Sequence, residues 1–257
     1  MTYETLIYEK EDGIGIVTLN RPERLNAINL QLIYDLEDVL DEVYEDGGVK
    51  TLILTGAGRG FCAGADVKGP QTLPTTRRTI RTRYMFYNKL EDMGKPVIAA
   101  INGPCNGGGM EMALCCDFRI ASEAANFGMG EVKLGILPAG GGTARLPRLI
   151  GPSRAKEFLY FGNRIGAEEA YQIGLVNKVV PHEELLPEAK RWAAELAERP
   201  PLSLKMIKDC VNLGMQMPLS EAVDYESKCH AILMNTEDRI EGMKAFAEKR
   251  KPEFKGR

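Results

Sequence analysis

Residues 96–117 read Pro96-Val97-Ile98-Ala99-Ala100-Ile101-Asn102-Gly103-Pro104-Cys105-Asn106-Gly107-Gly108-Gly109-Met110-Glu111-Met112-Ala113-Leu114-Cys115-Cys116-Asp117. Pro96 to Ile101 is a short apolar run bounded by turn residues, which predicts a buried strand. A glycine-rich turn follows, and the apolar stretch Met110 to Cys116 predicts a short helix. Strand, turn and helix in that order form the unit of an α/β architecture.

Outward from this unit, Val49 to Thr55 and Phe118 to Ala121 are further apolar runs of strand length, with helical stretches between them. The chain opens with Tyr3 to Glu9 and Gly15 to Leu19, rich in Ile, Val, Thr and Tyr and separated by Asp12-Gly13, which predicts a hairpin. Leu32, Ile33, Leu36, Val39, Leu40 and Val43 then recur at helical spacing behind the capping residue Asn29, so a helix is expected over about Leu30 to Tyr44. From Pro152 onward helical patterns dominate, apart from a short strand expected at Val176 to Val180. Arg199-Pro200-Pro201 stops the amphipathic stretch Glu183 to Glu198 and precedes two more helices, Leu202 to Met215 and Leu219 to Met234. The expected division is a core over residues 1–199 and a helical region over residues 200–257.

The chain has 257 residues, 44% hydrophobic and 27% charged, which fits a folded domain and not a disordered chain. Lys and Arg number 33 against 36 Asp and Glu, a net charge of -3. No excess positive charge exists for a phosphate backbone or an anionic membrane, so neither nucleic acid nor membrane is an expected partner. No apolar stretch approaches the ~20 residues that cross a bilayer. Met1 to Lys10 lacks a signal-peptide pattern, and a cytoplasmic location is expected. Cys62, Cys105, Cys115, Cys116, Cys210 and Cys229 form no CxxC pair and have no companion histidine at ligand spacing. They read as reduced core residues. Arg77, Arg78, Arg81 and Arg83 are expected on a solvated helix face.

Two motifs fail on inspection. Thr55-Gly56-Ala57-Gly58-Arg59-Gly60 follows a strand as a dinucleotide fingerprint does, but the third glycine would fall at Phe61. His182-Glu183-Glu184 opens like a zinc motif, but the second histidine would fall at Leu186, and the remaining histidine is His230. A catalytic zinc and a Ser-His-Asp triad are both poorly supported.

Phe61-Cys62-Ala63-Gly64-Ala65-Asp66 places small residues just after a strand, where a ligand can approach backbone amides closely. Asn102 to Gly109 supplies a second such turn. Two fixed N–H donors flanked by glycine or alanine suit an oxyanion hole; two tight turns that only pack strands together remain the plain alternative. Glu111 stands among apolar neighbours, so its carboxyl is expected to be buried, and unpaired burial favours the protonated form. Glu131 stands in a similar setting, Phe127-Gly128-Met129-Gly130-Glu131-Val132, ahead of the glycine-rich stretch Ala139 to Thr143. Hydrogen bonding of each carboxyl to backbone at a helix end is the alternative for this pair.

Taken together, Thr18-Leu19-Asn20-Arg21-Pro22 with Leu25-Asn26-Ala27, Phe61 to Asp66, Asn102 to Glu111, Cys116-Asp117 and Phe127 to Arg145 resemble the enoyl-CoA hydratase/isomerase family, the crotonase superfamily, nearly end to end. The resemblance implies an α/β fold, a spiral of ββα units, followed by a helical C-terminal region that makes trimers, which commonly pair into hexamers. It implies an oxyanion hole for an acyl-CoA thioester at Ala63 and Gly108, and catalytic glutamates at Glu111 and Glu131. The presence of both favours hydration over isomerisation. It implies a CoA site at Arg24, Leu25, Ala27, Ala63, Gly64, Ala65, Asp66 and Lys68. The implied reaction adds water to a 2-enoyl-CoA, with CoA entering as part of the substrate and no metal or redox cofactor.

Met129-Gly130 departs from the family, whose hydratases usually carry a polar residue and proline there. Val67 to Asp92 matches the family's most variable segment, and Tyr84, Met85, Phe86 and Tyr87 either line its acyl pocket or are ordinary helix packing. Other acyl-CoA reactions of the same family stay open: double-bond isomerisation, hydration of a cyclic dienoyl-CoA and ring-opening hydrolysis. So does a non-catalytic RNA-binding role, which the net charge opposes.

Overall fold

The computed structural model describes residues 2–67 and 86–257. Lys68, Arg77, Arg78, Arg81, Arg83, Tyr84 and Met85 lie outside the described residues.

The expected hairpin is formed by β1 (Leu6–Glu11) and β2 (Ile14–Leu19), paired antiparallel from Leu6↔Leu19 to Glu11↔Ile14. Asp12 and Gly13 both take positive φ, 48° and 79°, the turn chemistry that matches the twist of two adjoining strands. The β2 strand then pairs in parallel with β3 (Thr51–Gly56), β3 with β4 (Val97–Ile101), β4 with β6 (Phe118–Ser122) and β6 with β9 (Lys178–Val180), giving the order β1-β2-β3-β4-β6-β9. A smaller sheet joins β5 (Pro104–Asn106), β7 (Asn126–Gly128) and β8 (Arg164–Gly166) in the order β5-β7-β8.

The six-stranded sheet is covered on both faces, which is why its central strands are nearly continuous apolar runs. Helix α1 (Leu30–Glu45) buries Leu32, Leu36, Val39, Leu40 and Val43 in one core with Val17, Leu19, Leu52, Leu54, Val97, Ala99 and Ile101. Asn29 caps it, its side-chain oxygen accepting from the Leu32 amide at 2.9 Å. The alternate residues of the same strands, Ile14, Ile16, Ile53, Ile98, Ala100 and Ile120, form a second core with Leu185, Ala189 and Ala193. Each fully buried aliphatic side chain contributes about 1.5–3 kcal/mol, so register is fixed on both faces.

Between strands lie α2 (Gly108–Leu114), α3 (Gly142–Ile150), α4 (Pro152–Phe161) and α5 (Ala167–Gln172), and α6 (Leu185–Ala197), which follows β9, supplies the second core's helical side chains. The chain closes with α7 (Pro201–Gly214), α8 (Leu219–Leu233) and α9 (Glu237–Glu248). Lys208 ties α7 to the core through Asp117 at 2.9 Å and the Lys95 carbonyl at 3.2 Å. These last helices bury little, and Val211, Leu219, Met243 and Phe246 stand exposed. Among the described residues, no helix is long and apolar enough to cross a membrane.

Candidate active site

The segment after β3 is held from both sides. On one side Cys62 forms a parallel bridge with Cys105, its amide donating to the Pro104 carbonyl at 3.0 Å and its carbonyl accepting from the Asn106 amide at 2.9 Å. On the other, the Ile28 amide donates to the Gly64 carbonyl at 2.8 Å and the Asp66 amide donates to the Ile28 carbonyl at 2.9 Å. The two glycine-bearing turns singled out in the sequence are thus brought together. A β-carbon on Gly64 would sit 3.4 Å from the Gly108 nitrogen.

One expected donor is corrected. The Ala63 amide is taken by the Leu25 carbonyl at 2.9 Å, so it is not free for a ligand. Gly64, at φ +98°, reverses the strand's alternation. Before it the Ala63 amide faces the loop of residues 25–28; after it the Gly64 carbonyl and Asp66 amide do. That leaves the Ala65 amide pointing away from the loop, 3.9 Å from where a Gly108 β-carbon would lie. The geometry therefore places Ala65, and not Ala63, opposite Gly108. The signal for this was the glycine between the two alanines, but its positive φ is set by pairing with distant Ile28.

Gly108 opens α2, where first-turn amides have no acceptor within the helix. Gly107 before it takes φ +51° and anchors the turn, its amide donating to the Gly128 carbonyl at 2.8 Å.

Glu111 projects from α2 and is only 4% exposed. Its expected burial holds, but it is not unpaired: Oε1 accepts from the Gly140 amide at 2.6 Å and the Gly142 amide at 2.8 Å, where the chain enters α3. Two donors on one oxygen hold the carboxyl in a single orientation. Arg145 braces that segment by donating to the Gly140 carbonyl at 2.8 Å while Nε donates to Glu91 at 2.9 Å. Gly140, Gly142 and Arg145 carry no local sequence signal for this role, because the contacts that give it join segments far apart in sequence.

Glu131 starts the single turn Glu131–Leu134. Its Oε2 is buried and has no hydrogen-bond partner among the described residues. Burial raises its carboxyl above the ordinary value, with its own backbone amide pulling the other way. The two glutamates are therefore held differently, one clamped by amides and one in a desolvated setting, the pattern that separates a proton acceptor from a proton donor.

Both face one cavity of about 630 Å³, together with Ala63, Gly64, Ala65, Gly107, Gly108 and Tyr87. Val67, Leu134, Ile136 and Leu137 give it an apolar wall. Arg24, Leu25 and Ala27 are not on its lining; Leu25 reaches it only through the carbonyl that holds Ala63, and the Ala27 carbonyl accepts from Arg21. The Asp66 carboxylate pairs with Arg21 at 3.0 Å. Phe86 and Tyr87 are buried, and of the two Tyr87 lines the cavity. Cys62, Cys105, Cys115, Cys116 and Cys229 are buried and Cys210 is partly exposed; all six are free, and burial pushes the Cys62 thiol up to about 12. Among the described residues, no group of three or more His, Cys, Asp and Glu could hold a metal ion.

The model of a family described as enoyl-CoA hydratase/isomerase matches residues 9–257. Over 257 residues the chain is 45% identical to the crotonyl-CoA hydratase of Syntrophomonas wolfei, covering 99% of each. It is 43% identical over 261 residues to the short-chain-enoyl-CoA hydratase of Clostridium acetobutylicum, covering 100% of each. Its fold superposes on a crystal structure of enoyl-CoA hydratase from Bacillus anthracis with a TM-score of 0.95 at 39% identity, covering 99% of this chain and 100% of that one.

Proposed function

Because the chain belongs to the enoyl-CoA hydratase/isomerase family, we propose that it is a hydro-lyase that adds water across the 2,3 double bond of an enoyl-CoA thioester to give a 3-hydroxyacyl-CoA. The observation that carries this reading is the convergence of Glu111 and Glu131 on a cavity that also holds the Ala65 and Gly108 amides.

The amides of Ala65 and Gly108 accept the thioester oxygen between them. Electron density drawn toward that oxygen leaves the β-carbon electron-poor, and each fixed donor is worth a few kcal/mol in the transition state, about 3 by analogy with known oxyanion holes. Glu111, oriented by Gly140 and Gly142, takes a proton from the water as its oxygen bonds to the β-carbon. The resulting enolate is protonated at the α-carbon by Glu131, whose desolvated carboxyl favours holding a proton. One proton leaves the water and one reaches carbon, so the glutamates exchange protonation states and proton transfer between them resets the pair. Hydration changes no net oxidation state, so the proposed chemistry calls for no redox cofactor. CoA enters with the substrate, its arm lying along Ala63 to Asp66 and the adjoining loop of Arg24, Leu25 and Ala27.

We further propose a homo-oligomer, a trimer or a pair of trimers, in which α7 to α9 meet neighbouring copies. The exposed apolar side chains Ile207, Val211, Ile240, Met243 and Phe246 support this. Sedimentation at micromolar concentration tests it, a monomer being the adverse result. The reaction is tested by presenting crotonyl-CoA and longer, branched and cyclic enoyl-CoA thioesters. Loss of enoyl absorbance with a mass gain of one water supports hydration; a product of unchanged mass supports isomerisation instead.

A further inference from the structure

Gly107, Gly108 and Gly109 form the run that carries one of the two amides the proposed reaction needs held still. Three glycines in succession are the backbone with most freedom to lose, and an oxyanion donor lowers a barrier only if it is already in place. The run is restrained at both ends. The Gly107 amide bonds the Gly128 carbonyl at 2.8 Å, and Gly109 lies so close to Cys62 that an added β-carbon would be 2.3 Å from its carbonyl oxygen.

Gly108 itself is held by a side chain. Tyr87, 3% exposed, donates its hydroxyl to the Gly108 carbonyl at 2.9 Å. The same ring lies against the other half of the machinery. A β-carbon on Gly140 would be 2.5 Å from Tyr87 Cε2 and 2.8 Å from Glu111 Oε2. One buried ring thus touches both the turn that offers the oxyanion amide and the turn that clamps the general base. A tyrosine in a merely packing role needs neither the hydroxyl nor this position.

We propose that Tyr87 is a positioning residue for hydration: its hydroxyl locks Gly108 so that the amide stays aimed at the thioester oxygen, while its ring sets the spacing to Gly140. The proposal rests on the hydratase reading above. Tyr87 moves no proton in it and acts only through Gly108 and Gly140.

The test is Tyr87→Phe, which keeps the ring and removes the hydroxyl. Two quantities are measured beside kcat and KM: the thermal midpoint, and the absorbance of a bound aryl-substituted enoyl-CoA, whose band moves to longer wavelength as its carbonyl is polarised. The expected result is a fall in kcat of about tenfold, KM within about twofold, and a smaller red shift. Unchanged kcat with an unchanged red shift overturns the proposal. Should the phenylalanine variant not fold, Tyr87→Met, flexible enough to fill the space without a hydroxyl, is read the same way. If the wild-type protein hydrates none of the thioesters, the hydratase reading falls, and the red-shift comparison still decides the role of Tyr87.

Discussion

Glu131 Oε1 lies 2.8 Å from the point a β-carbon would occupy on Gly107. The proposed proton donor therefore rests on the backbone of the turn that presents the oxyanion amide, with no room for a side chain between them. Gly107 also takes φ +51° with ψ −126°, a region closed to residues with a β-carbon.

Gly107→Ala is accordingly expected to fail twice over. The backbone conformation costs about 1–3 kcal/mol, and relief of the contact moves Glu131 away from its proton-delivery position. Steady-state kinetics should show kcat reduced by about 10²-fold or more, with a lowered thermal midpoint. Near-normal kcat would mean that Glu131 does not need this seat.

The desolvated setting of Glu131 makes a second expectation depend on pH. Its carboxyl is raised above its ordinary 4.5 in the folded protein, so the folded state binds the proton more tightly than the unfolded one. Stability is then lost as pH rises from near 4.5 through the folded value. Glu131→Gln removes the titration, so its melting temperature should exceed that of the wild type at pH 8 and converge with it near pH 4. A difference that does not vary with pH would assign the stability effect to shape alone. Activity should be lost in the same variant at every pH.

How much of the site is legible in the sequence differs from residue to residue. Asn29 as a helix cap and Asp12-Gly13 as a hairpin turn are local signals, and each appears where the sequence puts it. The burial of Glu111 followed from its apolar neighbours, and its place beside Gly108 from their closeness along one short helix. Its clamp by Gly140 and Gly142 joins positions 29 and 31 residues apart, which no local pattern encodes. Ala63 and Ala65 look equivalent as letters. Only the long-range pairing, of Ala63 with Leu25 and of Gly64 and Asp66 with Ile28, shows which of the two amides is already taken.

Arg119 on β6 offers a third expectation, about stability. It is buried, and its guanidinium donates to the Leu175 carbonyl at 2.8 Å, the Cys116 carbonyl at 2.8 Å and the Ala113 carbonyl at 3.3 Å. Ala113 lies in the last turn of α2 and Cys116 just beyond it, where the negative end of the helix dipole favours a cation. Arg119→Met fills the space but removes the guanidinium donor from the buried Leu175 and Cys116 carbonyls, at about 1–3 kcal/mol each, while the Ala113 carbonyl still accepts from the Cys116 amide at 3.3 Å. A total of about 3 kcal/mol corresponds to a fall of about 6–12 °C in melting temperature. An unchanged melting curve would show that other donors replace the guanidinium.

The assignment of the oxyanion amide can be decided one atom at a time. Replacing a single residue by its α-hydroxy acid turns its amide into an ester, removing one N–H and leaving the side chain in place. At position 65 the lost N–H is on the nitrogen 3.9 Å from where a Gly108 β-carbon would lie, whereas at position 63 it is the one bonded to the Leu25 carbonyl at 2.9 Å. The ester at 65 should lower kcat by about 10²–10³-fold, with only the small drop in melting temperature expected because the Gly64 carbonyl that accepts from the Ile28 amide becomes a weaker ester acceptor. The ester at 63 should do the reverse, costing about 1 kcal/mol of stability and leaving most of kcat. If the ester at 63 proved the more damaging to kcat, the Leu25 contact would have to open when substrate binds, and Ala63 would replace Ala65 as the donor to the thioester oxygen.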